Sequence, residues 1–96
     1  MEDLKRVHLY ISGIVQGVFF RAHTQEIAQE LGLVGWVKNL DNGRVEIVAE
    51  GDEKKLQQLI DWCNGGPPGA QVDNVEMIYE EPSNKFKDFE IKYERW

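Results

Sequence analysis

Cysteine is almost missing: Cys63 is the only one in 96 residues. No intrachain disulfide and no multi-cysteine metal cluster can form, which excludes a stapled secreted fold and fits a reducing compartment. Long apolar runs are missing too. No stretch approaches the ~20 residues that span a bilayer, and the charged start Met1 to Arg6 leads into no signal-type core, so a cytoplasmic protein is expected. Positive charge is scarce, with 11 Lys and Arg against 17 Asp and Glu and a net charge of −6, the wrong balance for neutralising a polyanion. His8 and His23 are the only histidines, and beside one cysteine they form no metal-ligand spacing.

What is present is the composition of a folded chain. With 42% hydrophobic and 29% charged residues it lies away from the polar, highly charged corner of disordered sequences. Its length suits one domain over residues 1–96, and no repeat or low-complexity tract interrupts it.

The order of elements follows from periodicity. Val7, Leu9 and Ile11 alternate with His8, Tyr10 and Ser12, as in a half-buried strand. After a glycine-containing loop, Thr24, Ile27, Ala28 and Leu31 recur at helical spacing, and Gly32 supplies a stop. Leu33 to Leu40 and Arg44 to Glu50 flank Asp41-Asn42-Gly43, a hairpin signal because Asn and Gly tolerate positive φ. Asp52 is placed to cap a second helix, whose stripe is Leu56, Leu59, Ile60 and Cys63, and the glycines and prolines of Asn64 to Gly69 end it. The last third reads as strand, break and strand, over Val72 to Tyr79 and Phe89 to Tyr93. The βαββαβ order predicts an α+β, ferredoxin-like sandwich: two helices on one face of a four-stranded, mainly antiparallel sheet.

Two segments carry candidate chemistry. Gly13-Ile14-Val15-Gln16-Gly17-Val18-Phe19-Phe20-Arg21 lies where the first strand hands over to the first helix. Amides of a tight loop and of a first helical turn lack internal partners and can converge on an anion, and a guanidinium beside them grips two oxygens at once. The bland alternative is a turn followed by a solvated Arg. There is neither a Walker lysine after the glycines nor a three-glycine dinucleotide fingerprint. The second segment is Gly35-Trp36-Val37-Lys38-Asn39, ahead of the hairpin. An amide such as Asn39 can hold a water through its oxygen, but Asn near a turn also commonly serves the turn.

These two segments, with Asp41-Asn42-Gly43 and Val45-Glu46, resemble the acylphosphatase family along nearly the whole chain. The loop reproduces that family's Gly-x-Val-Gln-Gly-Val-x-Phe-Arg pattern without departure, and Phe19 fills one of its variable positions. The resemblance implies the fold above and a hydrolase that splits acyl phosphates into carboxylate and phosphate without a metal or other cofactor. It implies that Arg21 and the amides of Val15, Gln16, Gly17, Val18, Phe19 and Phe20 bind the phosphoryl group, and that Asn39 orients the attacking water. Inorganic phosphate or sulfate is then a product or inhibitor, and a monomer is expected, with no nucleic-acid or membrane partner.

The rival with the same element order is an RNA-binding module, but Arg44 to Glu50 lacks paired aromatics for stacking bases, and the net charge has the wrong sign. A third reading, a domain that binds an anion without turnover, is separated from the first by turnover itself. The remaining conspicuous residues read as structure: His23 on a helix surface, Cys63 as a buried small hydrophobe, and Trp62 and Trp96 as packing. Trp36 alone among the tryptophans is expected near the site.

Overall fold

Strand alternation builds a two-layer molecule, described over residues 4–93 of a computed structural model. The strand β1 (Leu4–Ile14) buries Val7, Leu9 and Ile11 completely and turns Arg6, His8 and Tyr10 to the opposite face. It is flanked on both sides by antiparallel partners, β3 (Val45–Asp52) and β4 (Gln71–Glu80). Val7, Leu9 and Ile11 lie opposite Ala49, Ile47 and Val45 of β3, so one sheet face is continuously apolar. The helices α1 (Phe20–Glu30) and α2 (Glu53–Gly65) supply Phe20, Ala28, Leu56, Leu59, Ile60 and Cys63 to the same core. Burying a leucine such as Leu56 or Leu59 stabilises the fold by about 2 kcal/mol. Asp52 caps α2 as expected, accepting from the amides of Lys54 and Lys55. No helix among the described residues is long and apolar enough to cross a membrane.

The sheet differs from the expected four strands. It has five, in the order β4-β1-β3-β2-β5. The strand β2 (Val34–Asn39) pairs antiparallel with β3, and the short β5 (Phe89–Ile91) runs parallel along its other edge. Besides its ladder with β2, so short a strand is held by the buried Phe89 ring and by Gln25 of α1, whose Nε2 donates to the Phe89 carbonyl at 3.0 Å. The strand bearing Asn39 is therefore paired on both sides. Trp96 lies outside the described residues.

The face turned away from the helices is polar and densely paired. His8 Nδ1 lies 2.7 Å from Glu80 and its Nε2 2.5 Å from Glu46. Trp36 also lies on this face, with the ammonium groups of Lys38 and Lys92 at 5.3 and 4.8 Å from its ring. The strand alternation that turns Val37 and Asn39 toward the helices turns Trp36 away, so the expectation that it neighbours the site fails. Where an RNA-binding sheet would stack bases, β3 offers Glu46 and Glu50 to the pairings on this face.

Glu50 is 1% exposed and holds the connection between β4 and β5 against the sheet. Its carboxylate accepts from the Ser83 amide at 2.7 Å, the Ser83 hydroxyl at 3.0 Å and the Asn84 amide at 3.0 Å, with Arg6 at 3.3 Å. Burial alone would push this carboxyl up, but the donors from Ser83 and Asn84, together with Arg6, outweigh burial and hold it below its ordinary value. A carboxyl depressed by folding contributes stability that is complete above its ordinary value of 4.5 and is lost as pH falls through the lower folded value. Urea unfolding between neutral and acid pH is thus expected to give a shallower acid decline for Glu50→Gln than for the parent. Parallel declines would remove Glu50 from the acid response.

Candidate functional site

The backbone between β1 and α1 is shaped before any side chain is considered. At Gly13, φ is +129°, and an added Cβ would come within 2.1 Å of the Gln71 carbonyl oxygen, so only glycine fits where β1 bulges against β4. Gly17 has free space around it but a φ of +79°, so its need is conformational. Phe19 then takes the left-handed conformation as well, at φ 63° and ψ 27°. Positive φ at Gly17 and Phe19 alternates with Val18 and the helical Phe20, the kind of alternation from which anion-binding backbone concavities are built. Phe19 occupies the N-cap position, and the positive end of α1 has no side-chain cap and no acidic partner in its first turn.

A cavity of about 170 Å³ opens at this point, lined by Val15, Gly17, Phe19, Phe20, Arg21 and Asn39. Arg21 and Asn39 are 18 residues apart in sequence, and the fold brings both to one small space. Arg21 has no carboxylate partner among the described residues; its guanidinium carbon stands 5.1 Å from the centre of the Tyr93 ring. That cation–π contact orients the group without supplying a counter-charge. Among the described residues no three His, Cys, Asp or Glu side chains are arranged to hold a metal ion.

The hairpin after β2 separates the two readings of Asn39. The turn closes through the Leu40 amide donating to the Arg44 carbonyl at 2.8 Å, the Gly43 amide to Leu40 at 3.1 Å, and the Arg44 amide to Asn42 Oδ1 at 3.1 Å. Asn42 is therefore the turn residue. Asn39 ends β2 opposite Val45, and its side chain lines the cavity without a hydrogen bond to another described residue.

Gln16 and Val18 belong to the loop but do not line the cavity. Val18 packs against the core. The Gln16 side chain turns to the hairpin, where Nε2 donates to the carbonyls of Leu40 at 2.8 Å and Arg44 at 2.9 Å. It ties the loop that holds Arg21 to the strand end that holds Asn39. Sequence reading did not find this tie, since nothing in a sequence names the carbonyls a glutamine will meet, and it did not find Tyr93. His23 lies 3.8 Å from Glu26 on the helix surface and does not line the cavity. Cys63 is fully buried, and burial raises its thiol well above the ordinary range, which leaves it inert.

The family model described as Acylphosphatase matches residues 7–91. An acylphosphatase of Syntrophobacter fumaroxidans is 49% identical, over 98% of this chain and 97% of its own. Another, of Chloroflexus aurantiacus, is 53% identical over 93% of this chain and 97% of its own. The crystal structure of acylphosphatase from Bacillus subtilis aligns with a TM-score of 0.89 at 37% identity, covering 95% of this chain and 100% of that one.

Proposed function

The chain belongs to the acylphosphatase family, a family of hydrolases acting on acyl phosphates, and from that premise we propose how its residues divide the reaction. The phosphoryl group of the substrate enters the cavity. Its oxygens accept from the amides between Val15 and Phe20 and from the Arg21 guanidinium, whose planar fork matches two of them. Asn39 accepts a hydrogen bond from a water through Oδ1 and aims its oxygen at phosphorus, opposite the bond to be broken. The P–O bond to the carboxyl group breaks as the new one forms. A proton of the attacking water passes to a phosphoryl oxygen, and the products are a carboxylate and dihydrogen phosphate.

The observation that carries this reading is the meeting in one cavity, beneath an uncapped helix end, of Arg21 and Asn39, the first without a carboxylate partner and the second without a side-chain hydrogen bond among the described residues. The leaving group explains why so little else is needed. A carboxylate departs without a strong general acid, so positioning and charge stabilisation account for most of the catalysis. The reading carries with it a cofactor-free, monomeric domain over residues 1–96 that works in the cytoplasm, where its lone buried thiol suits a reducing milieu.

The test is a comparison of leaving groups. Benzoyl phosphate is expected to be hydrolysed at the same rate with and without excess chelator, and p-nitrophenyl phosphate slower by orders of magnitude, because no described residue lining the cavity is a nucleophile, or an acid to assist a poorer leaving group. Inorganic phosphate and sulfate are expected to inhibit competitively, as tetrahedral anions that share the amide cradle. Comparable rates on the two substrates, or purely non-competitive inhibition, would overturn the assignment of this cavity.

A further inference from the structure

The mechanism uses the backbone of Phe19 and has no task for its ring. That ring is 78% exposed, although it lines the cavity. It adds nothing to the core, and the left-handed backbone at φ 63° is one that glycine or asparagine adopts with less strain. Neither folding nor backbone geometry accounts for a phenylalanine here. The cavity, at about 170 Å³, is also smaller than the ~300–1,000 Å³ of pockets that enclose a whole ligand. A phosphoryl group held inside must leave the rest of its substrate at the mouth, beside Phe19. Among the described residues Arg21 is the only ionisable side chain in the lining, and a phosphoryl group would occupy it, so the described lining holds no second cation for an anionic group on the acyl side.

We propose that the exposed ring of Phe19 is the docking face for the acyl part of the substrate, and that it selects acyl phosphates with aromatic or bulky apolar acyl groups over short ones. The proposal rests on the reading of the cavity as the phosphoryl site. An apolar acyl group that covers the ring removes two apolar surfaces from water at once, and an aromatic one adds offset stacking. A short acyl group such as acetyl reaches too little of the ring to gain this.

The experiment compares kcat/KM for benzoyl phosphate and acetyl phosphate in the parent, Phe19→Ala and Phe19→Asn. Both substitutions keep the amide at position 19, and Asn also accepts the left-handed backbone, so a loss of loop shape in the Ala variant is recognised by its absence in the Asn variant. The ratio of the two specificity constants divides out any loss common to both substrates. It is expected to fall about tenfold in each variant through a higher KM for benzoyl phosphate, the scale of one aromatic contact. The inhibition constant of inorganic phosphate, which never reaches the ring, is the control on the cradle. An unchanged ratio, including one in which both substrates and phosphate weaken together, overturns the proposal while leaving the acyl phosphate reading intact. Failure of the parent to hydrolyse either substrate overturns both.

Discussion

Asn39→Ala is expected to fold like the parent, to bind inorganic phosphate with nearly unchanged affinity, and to lose about 10³-fold in kcat, the scale on which placing a nucleophile and stabilising its transition state act. The reason for so uneven an effect is the division of labour at the hairpin. Asn42 supplies the side-chain oxygen that the turn needs, so removing the Asn39 amide takes no hydrogen bond from another described residue. Its stability cost should stay within the ~0.5 kcal/mol usual for a substitution away from core and caps. Thermal unfolding, phosphate binding and turnover, measured on this one variant, separate the alternatives. A stable variant that turns over normally would remove Asn39 from the mechanism, and one that unfolds early and loses activity in proportion would return it to the turn.

Arg21→Ala is expected to weaken both steps. On the proposed reading the guanidinium touches the phosphoryl group in ground and transition states alike, so the inhibition constant of phosphate should rise and kcat should fall, together lowering kcat/KM by about 10³-fold or more. Arg21→Lys should recover little, because an ammonium gives a point charge where two oxygens need a planar fork, and it also loses the stacking on Tyr93. The fold should tolerate either change, since Arg21 has no ion-pair partner among the described residues. Near-parental kinetics in the lysine variant would show that charge alone suffices and that the fork geometry is dispensable.

Much of this arrangement was legible in the sequence because it rests on local signals. The alternation of Val7, Leu9 and Ile11, the stripe from Leu56 to Cys63, the Asp52 cap and the Asn-Gly hairpin each reflect a period or a backbone preference written over a few residues. The loop motif named Arg21 and the Gly35 to Asn39 segment named Asn39 as candidates, and the fold brings them to one cavity. Long-range geometry was not legible. The parallel pairing of β5 depends on Phe89 finding the core and on Gln25 reaching its carbonyl across 64 positions of chain. Trp36 was expected beside the site on proximity in sequence to Asn39, but three positions on a strand of period two lead to the opposite face. Gln16 is named in the sequence for its backbone amide alone, and the tie made by its side chain was not legible there.

The tie from Gln16 ends on the main-chain oxygens of Leu40 and Arg44. A carbonyl is present whatever side chain its residue bears, so the far end of the tie survives mutational drift at either position as long as the turn itself closes. The freedom is one-sided. At position 16, Glu would set a carboxylate against two carbonyls, and Asn would fall a methylene short. The same asymmetry runs through the cradle, where an amide can come from almost any residue and the constraint falls instead on who can adopt the backbone. On the proposed reading, a lineage carrying this fold can rewrite much of the loop and hairpin as long as it keeps the glycines that set the backbone, the glutamine that ties it, Arg21 and Asn39.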